Sequence, residues 1–177
     1  MTVNIENYLP VVQYNGLNSA KNGTLSGNYT FSGTNTFTGA RVGLVNASAG
    51  NTTLTASGSG QTFLFDTAAG ITYTLPAPAV GATYTFIVTT SVTSSNHKII
   101  TNTGTVLLQG TILGATTTAT MFESVIGSSN ISVTMNGSTT GGLVGTDLTF
   151  RCLSATLWQV SGYNFGSGSP ATPFANS

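Results

Sequence analysis

Charged residues are scarce in this sequence. Only 5% of its 177 residues are charged, four Lys or Arg and four Asp or Glu, and the formal net charge is zero; soluble domains usually carry about 25% charged residues. The four basic residues, Lys21, Arg41, Lys98 and Arg151, are scattered, whereas phosphate binding needs clustered Lys and Arg. The composition therefore argues against a nucleic-acid partner.

Histidine and cysteine occur once each. A metal cluster or a His-dependent triad needs more members than His97 alone supplies. We interpret His97, at a predicted strand entrance, as a solvated loop residue. The lone Cys152 excludes an internal disulfide framework, and because it alternates with apolar residues we expect it to be a small buried hydrophobe. We predict no metal site and no cofactor.

Acidic residues are too few to suggest catalysis. A glycosidase needs two carboxylates in one cleft, but Asp66 and Asp147 occupy typical turn positions. Glu123 is unusual because it lies within an otherwise apolar predicted strand. It could pair with Arg151 or Arg41 at an interface, or face solvent on an edge strand. We predict no catalytic residues and expect that the chain is not an enzyme.

Long apolar runs are also missing. No run approaches the ~18 residues of a membrane span, and no basic-then-apolar signal peptide opens the chain. We therefore expect neither a membrane partner nor a secretion signal.

Short runs of β-branched and aromatic residues make up much of the remainder, separated by Gly, Pro, Ser and Asp. Such spacing is typical of an antiparallel sandwich or barrel, and alternation of Thr with larger residues gives each strand one apolar face. We predict an all-β, antiparallel, jelly-roll-like β-sandwich or barrel. The predicted strands are 53–56, 62–65, 71–75, 83–88, 98–101, 106–109, 118–126, 131–135, 147–153 and 156–161.

The stretch from Thr53 to Thr90 contains a pattern of turn and core positions, formed by Leu54, Ser57, Gly58, Phe63, Asp66, Ala68, Gly70, Thr74, Leu75, Pro76, Ala77, Pro78, Gly81, Tyr84, Phe86 and Val88. With this pattern the stretch resembles a β module of tailed-phage structural proteins, found in head decoration proteins, head fibres and tail fibres. Leu148–Gly162 is similar to the closing hairpin of such modules. The resemblance implies a virion structural role, and its residues bear on fold more than on function.

Three regions follow from these patterns. We predict an extended N-terminal arm over 1–52, a β-sandwich domain over 53–165, and a flexible tail over 166–177 that is disordered or lies on a neighbour. The arm's first segment has apolar residues with nothing local to pack against. It is either a strand of the chain's own sheet or, as we favour, an arm lying on a neighbouring subunit.

A six-residue repeat runs over residues 24–41, reading Thr, large apolar, Ser or Thr, Gly and two variable positions. Internal repetition indicates a stacked or fibrous element. Ordering this backbone costs more free energy than burying its four large apolar residues returns, so we expect pairing with other chains, most simply in a homotrimer. The alternative is a Gly/Thr-rich linker with an accidental period. The predicted interface residues are Tyr8, Leu9, Val11, Val12, Tyr14, Leu25, Tyr29, Phe31, Phe37 and Arg41.

Three functions are compatible with these features. The first is a phage capsid decoration, or cement, protein on the outer capsid surface, whose partners are its own copies and the major capsid protein. The second is a fibre or fibre tip that binds a host surface glycan. The third, a polysaccharide hydrolase, is disfavoured by the missing His and acid clusters. Three repeats are short for a fibre shaft, so the first is the prediction.

Overall fold

A computed structural model describes residues 45–46 and 50–177 of the chain. Within these residues the fold is all-β, with two sheets packed in a sandwich-like arrangement. The strands are β1 (Val45–Asn46), β2 (Thr52–Thr53), β3 (Thr62–Phe65), β4 (Thr72–Thr74), β5 (Thr83–Val88), β6 (His97–Ile100), β7 (Leu107–Ala115), β8 (Ala119–Ser124), β9 (Ser132–Met135), β10 (Asp147–Ser154), β11 (Leu157–Phe165) and β12 (Phe174–Ala175).

Across the described chain, the larger sheet has the strand order β1-β3-β5-β10-β11-β7-β8, and the smaller sheet has the order β12-β9-β6-β4-β2. The first six strands enter the two sheets alternately. As a result β1, β3 and β5 stack parallel in the larger sheet, and β2, β4 and β6 stack parallel in the smaller one. This half of the domain therefore has the topology of a short two-sheet β-helix with three coils.

The prediction of antiparallel sheets is wrong, because both sheets are mixed. Besides the coils, β7 and β11 pair in parallel over nine residues, Leu107 opposite Leu157 through Ala115 opposite Phe165. Antiparallel pairing does occur where β10 joins β5 and β11 and where β7 joins β8. A jelly roll is built from antiparallel strands, so the mixed pairing separates this fold from that architecture.

The core between the sheets is strongly aromatic. Phe65 packs edge-on against Tyr73 with ring centroids 5.0 Å apart, and Phe86 packs edge-on against Phe150 at 5.5 Å. Trp158 is fully buried in this core. The hydroxyl of Tyr73 donates to the Leu64 carbonyl at 2.7 Å, so this deeply placed phenol satisfies its polar group.

Every predicted strand overlaps an observed strand, and 62–65 and 83–88 match β3 and β5 residue for residue. The tail differs from the prediction of flexibility. β12 pairs with β9, Phe174 opposite Val133, and Phe174 is only 6% exposed. The structure therefore extends the sheets beyond the predicted 53–165 domain at both ends. Flexibility was expected because the tail lacks alternation. Burial of Phe174 and backbone hydrogen bonds from Ile131 to Ala175 and from Thr134 to Pro173 attach it beside β9.

No helix among the described residues is long and apolar enough to cross a membrane.

Candidate functional site

The ten residues predicted for the interface lie outside the residues that the structure describes. Their contacts therefore stay a prediction. The described residues nevertheless contain a surface suited to the same purpose, and it involves side chains that the sequence patterns did not single out.

His97 is not the solvated loop residue that we predicted. It begins β6 and is fully buried, with its ring 4.3 Å from that of Phe65. Its Nδ1 accepts a hydrogen bond from the Ile71 backbone N–H at 3.2 Å. Burial lowers the pKa of His97, with a smaller opposing effect from the Thr90 backbone. Residues along β6 alternate between buried and half-buried, and this alternation points the His97 side chain into the core, where it is neutral.

Cys152 is buried on β10, as predicted. Burial raises the pKa of its thiol, so the reactive thiolate is disfavoured. In the described part of the chain no group of three or more His, Cys, Asp or Glu side chains could hold a metal ion.

The outer face of the larger sheet follows from strict alternation. Along β10 and β11 the even-numbered residues point into the core, and Leu148, Phe150, Trp158 and Val160 are all buried. The odd-numbered residues therefore point outward. The same parity continues to the end of β11, where Asn164 points inward.

Exposed apolar side chains gather on this outer face at β11, β7 and β8. The register places Tyr163 beside Leu113, and Leu113 beside Met121. Tyr163 is 57% exposed and Met121 62% exposed. A second row lies next to this one, in which Phe165 lies beside Ala115 and Ala115 beside Ala119. We call this surface the outer patch; its residues are Leu113, Ala115, Ala119, Met121, Val144, Tyr163 and Phe165.

Val144 lies in a loop that is tied to β11 at the Phe165 end of the outer patch. The Leu143 N–H donates to the Phe165 carbonyl at 3.0 Å. Val144 is 57% exposed, and its own N–H donates to Ser91 Oγ at 3.0 Å. Hydrogen bonds therefore connect this loop to the domain on both sides.

The buried Asn164 side chain fixes the same loop from beneath. Its Oδ1 accepts from the Gly142 N–H at 3.0 Å and from Thr146 Oγ1 at 3.3 Å, and its Nδ2 donates to the Thr140 carbonyl at 2.8 Å. Both the oxygen and the nitrogen of this buried amide therefore have hydrogen-bond partners, as expected of a structural side chain. It supports the outer patch by holding the backbone around Val144.

Polar rows border the outer patch toward the rest of the sheet. Thr85 lies beside Thr149, Thr149 beside Ser161, and Ser161 beside Thr111. The hydroxyls of Thr85 and Thr149 approach to 3.5 Å. Along β11 and β7 the next outward residues are the uncharged Ser161 and Thr111, whereas along β8 the next outward residue is the charged Glu123. The charged Asp147 lies beside Tyr163. The face is therefore an apolar centre with a polar rim.

A shallow depression of about 420 Å³ lies beside the patch. Among the described residues that line it, Glu123 is the single ionisable side chain, so the described lining lacks the second carboxylate that glycoside hydrolysis needs. Ile126, at its rim, is 86% exposed. Its lining residues are Gln109, Gly110, Thr111, Glu123, Ser124, Val125 and Ile126.

Glu123 lies on the outer face of β8, opposite Thr111. Arg151, one of the two partners considered for it, lies on β10, three strands away. At about 4.8 Å per strand the two are roughly 14 Å apart, too far for an ion pair. Arg151 is therefore excluded as the partner of Glu123 within the same chain.

Comparisons with protein-family models, curated proteins and solved structures find no match for this chain. What can be inferred about function therefore comes from the chain's own residues.

Proposed function

We propose that this chain is a capsid decoration, or cement, protein of a tailed phage. It would be a non-enzymatic subunit that binds the outer capsid surface as an oligomer, most simply a homotrimer, and stabilises the lattice. Its partners would be its own copies and the major capsid protein. The observation that carries the proposal is the outer patch, a contiguous apolar surface on a domain with very few charges.

The form of the outer patch favours a protein partner. Large exposed apolar surfaces with polar rims mark interaction sites, and this one lies on the flat face of a sheet rather than in a closed cavity. Met121 and the exposed aromatics supply the side-chain types that are enriched at protein interfaces. A flat apolar face suits contact with another folded subunit better than it suits a small substrate.

The resemblance to tailed-phage β modules supports the virion part of the proposal. Its carriers have clear structural roles: Leu54, Phe63 and Phe86 are buried. Gly70 leaves no space for a side chain, since a Cβ there would lie 2.4 Å from the Asn96 carbonyl oxygen. The pattern thus specifies the interior and the turns of this domain. The proposed virion role is based on the resemblance together with the outer patch.

Stabilisation would act by mass action. A subunit that binds across neighbouring capsid subunits favours the assembled lattice over separated subunits, by an amount set by its free concentration relative to its Kd. Apolar burial and strand addition are the contacts that such a subunit can offer.

The test compares occupancy on capsids assembled without this chain. Wild-type protein should bind them and raise the temperature at which they break open. The double variant Met121→Ser, Tyr163→Ser should bind at least about ten-fold more weakly, because apolar anchors dominate interface energies. Thr149→Ser, on the polar rows, is the matched control and should bind like wild type. Equal occupancy by the double variant would refute a role for the outer patch.

The arm gives a second test. We expect that deleting Met1–Arg41 leaves a folded β domain that no longer joins particles. Circular dichroism checks folding, and gel analysis of purified virions checks incorporation. Incorporation at the wild-type level would contradict the proposed role of the arm.

A fibre-tip function remains the second candidate because of two exposed rings. Tyr163 and Phe165 lie two residues apart on the outer face of β11, and exposed aromatic faces can stack on sugar rings. Cryo-electron microscopy of virions separates the two functions: density on the head supports the decoration protein, whereas density at the end of a tail appendage supports the glycan-binding tip.

A further inference from the structure

The outer edge of β8 is open. β8 pairs with β7 on one side, and among the described residues no strand pairs with its other side. An open edge presents N–H and C=O groups ready to pair with another chain. Five of the six residues of β8 lack a basic or acidic side chain, and Glu123 is the exception.

We propose that residues 24–41 of a neighbouring copy add to β8 as a parallel strand, with Arg41 beside Glu123. This inference goes beyond the capsid proposal, since it concerns how copies of the chain bind one another and can be tested without a capsid.

The 24–41 sequence has the two-faced pattern that such a strand requires. Side chains of equal parity share one face of an extended strand. All the large apolar residues of the segment are odd-numbered, as is its one charged residue, whereas every even-numbered residue is Thr, Ser, Asn or Ala. The odd face reads Leu25, Gly27, Tyr29, Phe31, Gly33, Asn35, Phe37, Gly39 and Arg41.

Side-chain size also fits in this register. With Arg41 beside Glu123, two-residue steps place Gly39 beside Met121 and Phe37 beside Ala119. The large Met121 thus meets a residue without a side chain. The ring of Phe37 meets the alanine row of the outer patch, which ends at Phe165.

Charge is complementary at the same position. Arg41 is the one charged residue of 24–41, and Glu123 is the one charged residue of β8. Arg151 is too distant to serve Glu123. Opposite charges beside each other on adjacent strands stabilise the pairing and fix its register.

The donor must be another copy, because the chain cannot reach its own β8. β1, which begins at Val45, and β8 form opposite edges of the larger sheet. A strand added beyond β8 lies seven spacings, about 34 Å, from β1. Arg41 is four residues from Val45, and four extended residues span at most about 14 Å. Each copy therefore gives its segment to one neighbour and receives one from another, a head-to-tail exchange that can close into a ring.

Disulfide formation between copies tests this arrangement in the full-length protein. The variant carrying Arg41→Cys and Glu123→Cys should form covalent oligomers on mild oxidation, because Cβ atoms of laterally paired residues lie about 4.5–5.5 Å apart. Arg41→Cys with Arg151→Cys is the matched control, since Arg151 would lie about 19 Å from the added strand. Gels without reductant separate the products. The wild-type protein, whose single cysteine is Cys152, shows whether that buried thiol forms crosslinks by itself.

Two disulfide results would overturn the proposal. One is a Glu123→Cys variant that crosslinks no better than the Arg151→Cys control. The other is a fast-migrating monomer with an internal bond, which would mean that the segment returns to its own chain. Mixing the two single variants, Arg41→Cys and Glu123→Cys, should give a dimer containing one of each.

Charge exchange provides an independent readout that needs no new cysteine. Arg41→Glu and Glu123→Arg should each weaken self-association about ten-fold, measured by sedimentation, because like charges then meet. Combining both changes should restore most of the lost affinity. Failure of the double variant to recover would contradict the pairing of these two residues. Wild-type protein that self-associates but does not bind capsids would contradict only the decoration function.

Discussion

At the scale of single residues, the neutral imidazole of His97, which is buried in the core, has the clearest physical consequence. The Nδ1 of His97 accepts a hydrogen bond from the Ile71 N–H, which requires that nitrogen to be unprotonated. Protonation would place a charge beside Phe65 and destroy the acceptor. The fold therefore favours the neutral form, and the pKa is lowered accordingly.

We expect this protein to lose stability as the pH falls from 7 to 5. The pKa of His97 is lower in the folded state than the ~6.5 of an unfolded chain, so unfolding takes up a proton below that pH. His97→Gln should remove most of this dependence, because Gln can accept from Ile71 without titrating. Urea unfolding followed by Trp158 fluorescence measures it. A wild-type free energy of unfolding that is constant over this range would contradict the assignment.

Glycine is required at Gly110, within β7. Its φ is +142°, and an added Cβ would lie 1.9 Å from the Val160 carbonyl oxygen. We expect Gly110→Ala to destabilise the domain by more than about 2 kcal/mol through strain and separation of β7 from β11. Gly104→Ala is the control, since nothing lies within 4 Å of its Cβ position, and it should change stability by less than about 0.5 kcal/mol.

At the scale of elements, the sequence identifies strands well and their partners poorly. Alternation around Phe63 and Tyr84 marks β3 and β5 because burial of one face is a local pattern. Parallel pairing of those strands depends on where the intervening chain runs, through β4 in the other sheet, and alternation carries no information about that. The antiparallel prediction failed for this reason.

The C-terminal strand offers an element-scale prediction. Phe174→Ala should destabilise the domain by about 2–4 kcal/mol, since it empties a buried site beside β9. The same truncation at Leu153, which is 44% exposed, should have little effect. Thermal unfolding of both variants gives the comparison, and equal melting temperatures would mean that β12 contributes nothing.

The outer patch was missed from the sequence although its signal was present. Trp158 and Val160 fix the inward parity of β11, and continuing that parity places Tyr163 and Phe165 outside. The predicted strand 156–161 ended before these two residues, so the parity was not continued to them. On β8 the buried Ser124 shows that even-numbered residues point inward, so the odd-numbered Met121 faces outward. The predicted interface residues of the arm, by contrast, are apolar residues of its first segment and of the six-residue repeat, together with Arg41. All of them lie outside the described residues.

At the scale of the whole molecule, scarce charge should make association insensitive to salt. With four charges of each sign, little attraction between copies is open to screening. We expect the Kd of self-association to change less than about five-fold between 50 and 500 mM NaCl, and to tighten with sulfate, which strengthens apolar burial. Sedimentation across a salt series checks this, and a steep loss of affinity would indicate that ion pairs dominate.

The three-coil stacking determines how the domain would respond to tension. Force transmitted through the preceding residues enters at β1, which is held to β3 by a two-residue pairing. The next strand in line, β2, is equally short. Pulling from the N-terminal end would separate β1 and β2 from their sheets before the force reached the long β7–β11 pair. The domain would therefore yield first at its outermost coil, absorbing extension while its aromatic interior stays closed.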